Sequence, residues 1–111
     1  MAITNYEVTS SVATAAFTAS ADTAVTVIYL CNINTSTPDG DASVDVYVVP
    51  SYDGSTTPPV KNKIYSGLTV PGGDTFVIDT EKLILNNGDA IFIATPDSTG
   101  QVKATISTIG L

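Results

Sequence analysis

The residues of this chain that could bind a metal ion are aspartates in turn-forming sequence. Asp39, Asp41 and Asp45, or Asp53 with neighbouring carbonyl groups, could supply the hard oxygen ligands that Ca²⁺ prefers. The Asp39-Gly40-Asp41 segment has neither EF-hand spacing nor a following bidentate Glu, so we interpret these aspartates as turn residues. A zinc site is excluded because the chain has no His and one Cys. We therefore expect no metal and no other cofactor.

The candidate nucleophiles lack a group that could activate them. A Ser or Thr hydroxyl needs an adjacent base, and the absence of His removes the usual triad. Cys31 has no His or Arg that could stabilise a thiolate, so we predict a small buried apolar residue there. Glycosidase-type chemistry needs two acids across a cleft, and no such pair stands out among the 11 acidic residues. The sequence therefore predicts that the protein is not an enzyme.

Two features could instead bind a partner. The segment 51–55 carries Tyr52 and Asp53 among small polar residues, a composition typical of recognition loops and also of ordinary solvated loops. The apolar run 24–33 is apolar at every odd position from Val25 onward and carries Ile28 and Leu30 on its even face. Such a strand is either buried deep inside a sandwich or packed on a neighbouring subunit. Both features are candidate binding sites.

The elements that would position these residues are strands. Thr, Val and Ile make up 39 of the 111 residues, and β-branched side chains favour sheets. Short apolar runs alternate with Gly, Pro, Asp and Asn turns, and no window holds a helical period for three turns. We predict one all-β domain, residues 1–111, folded as an antiparallel β-sandwich of about seven to eight strands. The pattern leaves a jelly roll and an immunoglobulin-like sandwich open.

Two local predictions follow from the same pattern. Asn86-Asn87-Gly88-Asp89 lies between two apolar runs, which predicts a tight hairpin in which both central residues have positive φ. Residues 1–9 are predicted to be an N-terminal arm that pairs with a neighbouring subunit, or else the first strand of the sandwich. We favour the arm.

The charge pattern limits the partners. Four Lys against 11 acidic residues give a net charge of −7, which repels nucleic acid and anionic membranes. No apolar run reaches the length of a membrane-spanning helix, and the first residues do not form a secretory signal. A single Cys cannot form an internal disulfide, so the chain is compatible with folding in a reducing cytoplasm. We expect no nucleic-acid and no membrane partner.

Five segments resemble a known group of proteins. They are a strand at 25–32 that ends in Tyr-Leu-Cys-Asn, Val-Tyr-Val-Val-Pro at 46–50, the segments 75–85 and 87–91, and a final strand at 104–110. In this order they resemble small virion structural proteins of tailed phages, especially marine and cyanobacterial ones. The resemblance covers roughly residues 24 to 111 and rests on strands and turns.

The resemblance implies a β-sandwich that is repeated many times on a virus particle. The expected role is that of a capsid decoration (cement) protein bound to the outer shell, with the major capsid protein or other virion proteins as partners. A homo-oligomer that folds in the host cytoplasm is expected. The alternative is a neck, tail or fibre module that recognises a host protein or a glycan through Tyr52 and its loop. No catalytic residue carries over.

Overall fold

The strands are formed by the β-branched runs of the sequence. A computed structural model describes residues 2–8, 15–34, 41–51, 63–79, 83–95 and 102–111. In these residues the chain forms nine strands: β1 (Ala2–Glu7), β2 (Phe17–Thr18), β3 (Thr23–Asn32), β4 (Ala42–Val49), β5 (Lys63–Val70), β6 (Thr75–Ile78), β7 (Leu83–Leu85), β8 (Ala90–Ala94) and β9 (Val102–Gly110). The described part of the chain contains no helix that is long and apolar enough to cross a membrane.

The strands form two antiparallel sheets. The first sheet has the order β1-β9-β3-β6, with β7 also paired to β3, and the second has the order β2-β8-β4-β5. Strands from the two halves of the chain therefore pair in a nested way: β1 with β9, β2 with β8, β3 with β6 and β7, and β4 with β5. This is the winding of a jelly roll, with β6 and β7 as two halves of one interrupted strand. The predicted all-β antiparallel sandwich is confirmed.

The core lies between the sheets and is formed by alternate side chains. Val44 and Val46 from β4 face Ala104 and Ile106 from β9, and all four are buried. Strand β8 is buried on both sides: Ile91 and Ile93 belong to the main core, whereas Ala90 and Phe92 join Tyr47 in a second cluster outside the sandwich interior.

A β-bulge decides which face of β3 points inward. The pairing of β3 with β9 shifts by one residue between Val25 and Val27. A bulge adds one residue to one strand, and a shift of one residue exchanges the two faces. Val25 is therefore buried on the core side, but beyond the bulge the core side is taken by Ile28 and Leu30. The outward side is taken by Val27, Tyr29 and Cys31.

Two local predictions differ from the structure. The turn at 86–89 does not close a hairpin, because β7 pairs with β3 in the first sheet and β8 pairs with β4 in the second. It connects the sheets, and of its two central residues only Gly88 has positive φ, as in a type II turn. Residues Ala2–Glu7 are not a free arm, because all six pair in register with β9.

Candidate functional site

The outward side of the first sheet collects exposed apolar side chains. Residues directly opposite each other on paired strands project to the same side of a sheet. Tyr29 is opposite Val77, and Ala24 lies between Ile84 and Ile109. We call this side of the first sheet the outer face. Its exposed apolar members are Ile3, Tyr29, Val77, Ile84 and Ile109, with exposed fractions of 67%, 42%, 40%, 61% and 43%.

The outer face forms one broad side of the two-sheet fold. The principal extents are 42, 27 and 19 Å, and the shortest of them fits two stacked sheets about 10 Å apart. The two longer extents are those of the broad sides of the two-sheet fold, and the outer face is one of these sides. Exposed apolar groups gathered on one face mark interaction sites more often than scattered ones do.

The second sheet does not offer such a surface at its centre. Its outward side chains include Phe92, which is fully buried, and Tyr47, which is 9% exposed. Ala15 and Val49 pack against this cluster. Phe92 and Tyr47 are therefore already covered within the chain, whereas the apolar members of the outer face are open to solvent.

One end of the outer face is polar, and its groups are paired. The Lys103 ammonium donates a hydrogen bond to Glu7 Oε1 at 2.7 Å, and Thr105 Oγ1 is 3.0 Å from Asn5 Oδ1. The hydrogen bond and the positive charge of Lys103 lower the pKa of the Glu7 carboxyl from its ordinary value of 4.5. The ion pair is exposed, so it adds little to stability. Because its charges cancel, the outer face carries no net charge from this pair.

The strongest polar cluster of the described residues lies on the second sheet. Asp45 is buried beside two register shifts between β4 and β5. Its carboxylate accepts hydrogen bonds from the Gly67 N–H at 2.8 Å and from the Lys63 ammonium at 3.2 Å. The Lys63 ammonium also lies 5.4 Å from the centroid of the Tyr47 ring.

This cluster has a structural role, because its hydrogen bonds join β4 to β5. The hydrogen bond from the Lys63 ammonium to Asp45 raises the pKa of Lys63 above its ordinary 10.5, and partial burial opposes the shift. Lys63 is therefore a cation at neutral pH and cannot act as a general base. Gly67 has a φ of 66°, which places its N–H against the Asp45 carboxylate without the strain that a side chain would cause.

The aspartates considered as metal ligands do not converge in the described residues. Asp45 is engaged by Lys63, and Asp41 Oδ1 accepts a hydrogen bond from the Gly72 N–H at 3.2 Å. Asp39 and Asp53 lie outside the described residues. Within the described ranges no group of three or more His, Cys, Asp or Glu side chains is placed to hold a metal ion.

An apolar groove opens where the edges of the two sheets meet. Its volume is about 340 Å³, and it is lined by Ile64 and Tyr65 from β5, Ile78 from β6 and Leu83 from β7. The volume is at the low end for small-molecule sites. Among the described residues, no charged side chain lines the groove.

The structure separates the residues that the sequence singled out. Ile28 and Leu30 are 1% and 0% exposed and lie in the core, which is the first of the two alternatives for this strand. Within the folded chain they cannot contact a partner. Tyr52 and Asp53 lie outside the described residues. Cys31 is half-buried on the outer face and not fully buried as expected.

The outer face was missed because its signal is weak in the sequence. Its five exposed apolar residues are spread over five strands, one on each. The clearest clue is that the odd positions of the 24–33 run stay apolar up to Ile33, beyond the point where the bulge turns them outward. No family model matches the chain, and no curated protein was found to be similar to it.

Proposed function

We propose that the chain is a non-enzymatic structural protein of a tailed-phage virion, and that it decorates the outer capsid shell by docking through the outer face. The observation that carries the proposal is the set of exposed apolar side chains on one broad, otherwise uncovered sheet face. The resemblance of residues 24–111 to phage virion proteins supports the class of particle. The jelly-roll winding is used by viral capsid proteins, but also by lectins and cupins, so the fold alone does not assign the role.

The net charge of the chain favours a protein shell, and not nucleic acid, as the partner. The chain has a net charge of −7, while the only ion pair on the outer face, among the described residues, joins Glu7 to Lys103. An acidic body with a neutral apolar face fits a partner surface that is apolar and neutral or basic. The same charge disfavours the packaged nucleic acid. The complementary surface is therefore that of the major capsid protein or another virion protein.

Neighbouring copies on the shell would meet through strand edges. Strand β1 is the outermost strand of the first sheet, and its far edge pairs with no other described strand. Such an edge accepts an added strand at low cost. We propose that β1 mediates homo-oligomerisation on the particle, next to the docked outer face.

Paired surface variants test the docking face. Ile84→Asp places a carboxylate in the outer face, and Ile64→Asp places one on β5 outside that face; Ile84 and Ile64 are 61% and 46% exposed. Both variants are expected to fold, as checked by circular dichroism. Burying an unpaired carboxylate is costly, so Ile84→Asp should weaken co-sedimentation with particles stripped of the chain by at least about tenfold. Wild-type binding by Ile84→Asp, or equal losses in both variants, would contradict the proposal.

A further inference from the structure

The turn between the two sheets contains a chemically reactive dipeptide. Asn87-Gly88 is the only Asn-Gly pair in the sequence. In such a pair the backbone nitrogen of the glycine can attack the side-chain carbonyl carbon of the asparagine. The reaction is fastest before glycine, because glycine has no side chain to hinder ring closure. Asn87 is exposed to solvent and lies in a tight turn, so water and hydroxide can reach it.

In the folded protein, the Gly88 nitrogen that would attack already makes a hydrogen bond. The Gly88 N–H donates a hydrogen bond to the carbonyl oxygen of Ala19 at 2.8 Å, and the Ala19 N–H donates to the carbonyl of Asp89 at 2.9 Å. Ala19 is 1% exposed, so the acceptor of the first hydrogen bond belongs to a buried residue. The attacking nitrogen is thus held against the segment that precedes β3.

The turn itself is fixed by one carboxylate. Asp89 accepts hydrogen bonds from the backbone N–H groups of Asn86 at 2.9 Å and Ser51 at 2.8 Å. The Asn87 N–H donates to Asp22 Oδ1 at 3.3 Å. These contacts join three separate parts of the chain, so the turn cannot change its conformation without breaking several of them.

We propose that Asn87 is a latent deamidation site, which the folded protein keeps closed through the hydrogen bond from the Gly88 N–H to the Ala19 carbonyl. When this bond opens, hydroxide removes the Gly88 amide proton and the nitrogen attacks the Asn87 side-chain carbonyl carbon. A carbon–nitrogen bond forms, the side-chain nitrogen leaves as ammonia, and a cyclic succinimide results. Water then opens either carbonyl of the ring and gives aspartate or isoaspartate at position 87.

The modification would loosen the connection between the sheets. Either product adds a negative charge next to the carboxylates of Asp22 and Asp89, which are already engaged with this turn. Isoaspartate also lengthens the backbone by one methylene group, which is incompatible with the present spacing of Gly88 and Ala19. Local opening at this turn would therefore lead to a permanent chemical change. The rate of deamidation of the folded chain depends on how often the turn opens.

Mass spectrometry of the intact chain tests the proposal. The folded protein and the same chain unfolded in guanidinium chloride are incubated at one mildly alkaline pH, and the peptide containing residues 86–89 is followed over time. Deamidation changes its mass, whereas isomerisation at Asp39-Gly40 or Asp53-Gly54 does not. We expect the folded chain to react at least about tenfold more slowly, as for a site that opens only locally. Equal rates in the two states would overturn the proposal.

Two variants separate this mechanism from general stability. Asp89→Ala removes the acceptor of two turn hydrogen bonds but keeps the Asn87-Gly88 pair, so it should react several-fold faster than wild type. Asp74→Ala removes an exposed carboxylate elsewhere and should react at the wild-type rate. If Asp89→Ala does not fold, hydrogen exchange of the Gly88 amide in wild type replaces it: slow exchange supports the proposal, and exchange as fast as in the unfolded chain overturns it.

Discussion

Replacement of Asn32 should destabilise the fold more than its small side chain suggests. Asn32 is fully buried at the end of β3, where its Nδ2 donates to the Val70 carbonyl at 3.0 Å and its Oδ1 accepts from the Asn34 N–H at 3.1 Å. The first of these bonds joins a strand of the first sheet to a strand of the second. Each such bond contributes about 0.5–1.5 kcal/mol, and an unsatisfied buried partner costs about 1–3 kcal/mol. We expect Asn32→Ala to lower the free energy of unfolding by about 2–4 kcal/mol.

Urea unfolding followed by circular dichroism measures this effect. The matched control is Asn5→Ala, since Asn5 is exposed and bonds only Thr105 among the contacts described above; its effect should stay within about 0.5 kcal/mol. Asn32→Asp keeps the shape but buries a carboxylate, so its penalty should shrink in acid, where a protonated carboxyl can donate to Val70. A loss below about 1 kcal/mol for Asn32→Ala would refute the reasoning, because the hydrogen bond between the sheets would then be dispensable.

Two further outcomes are expected. Because Asp45 raises the pKa of Lys63, their pairing stabilises the fold fully below pH 10.5 and is lost as the pH rises through the raised value. The difference in free energy of unfolding between wild type and Lys63→Met should therefore shrink at high pH. A difference that does not change with pH would contradict the pairing. Deletion of Thr26 removes the extra residue of the bulge and should still give a folded chain. Deletion of Tyr29 would instead turn Leu30 to solvent and should abolish folding. Two-dimensional NMR spectra distinguish a folded from an unfolded chain.

Strand-forming segments were predictable because their signal is local. Val44 and Val46, and likewise Val102, Ala104 and Ile106, stand at alternate positions of the sequence, and all five are buried in β4 and β9. Both strands lie in the middle of their sheets and keep a regular period over the residues concerned. Alternate apolar residues lie on one face of a strand, which favours burial of that face against the core.

Other features depend on contacts between distant parts of the chain. Asn87-Gly88 has the composition of a hairpin turn, but whether the flanking strands pair with each other is decided by β3 and β4, which β7 and β8 join instead. The bulge after Val25 is fixed by pairing with β9, about 80 residues later in the chain, where Thr26 Oγ1 bonds the Ser107 carbonyl. Neither of these strand pairings can be inferred from the local sequence.

The candidate site was only partly predictable for the same reason. The sequence pattern pointed to Ile28 and Leu30, which the bulge turns into the core. It did not point to Ile84 or Ile109, which lie on either side of Ala24 on the outer face. A single exposed isoleucine in a strand is common and carries no signal by itself. Only the sheet order shows that several of them share one face.

Imaging of the intact virus particle on which this chain is proposed to lie tests the central claim most directly. If the chain decorates the capsid, copies occupy the shell lattice at regular positions, with the first sheet toward the shell and Ile84 and Ile109 buried against it. Density for the chain only at a vertex, neck, tail or fibre would contradict the decoration role and favour the appendage alternative. Density in the lattice with the first sheet turned to solvent would contradict the outer face as the docking surface.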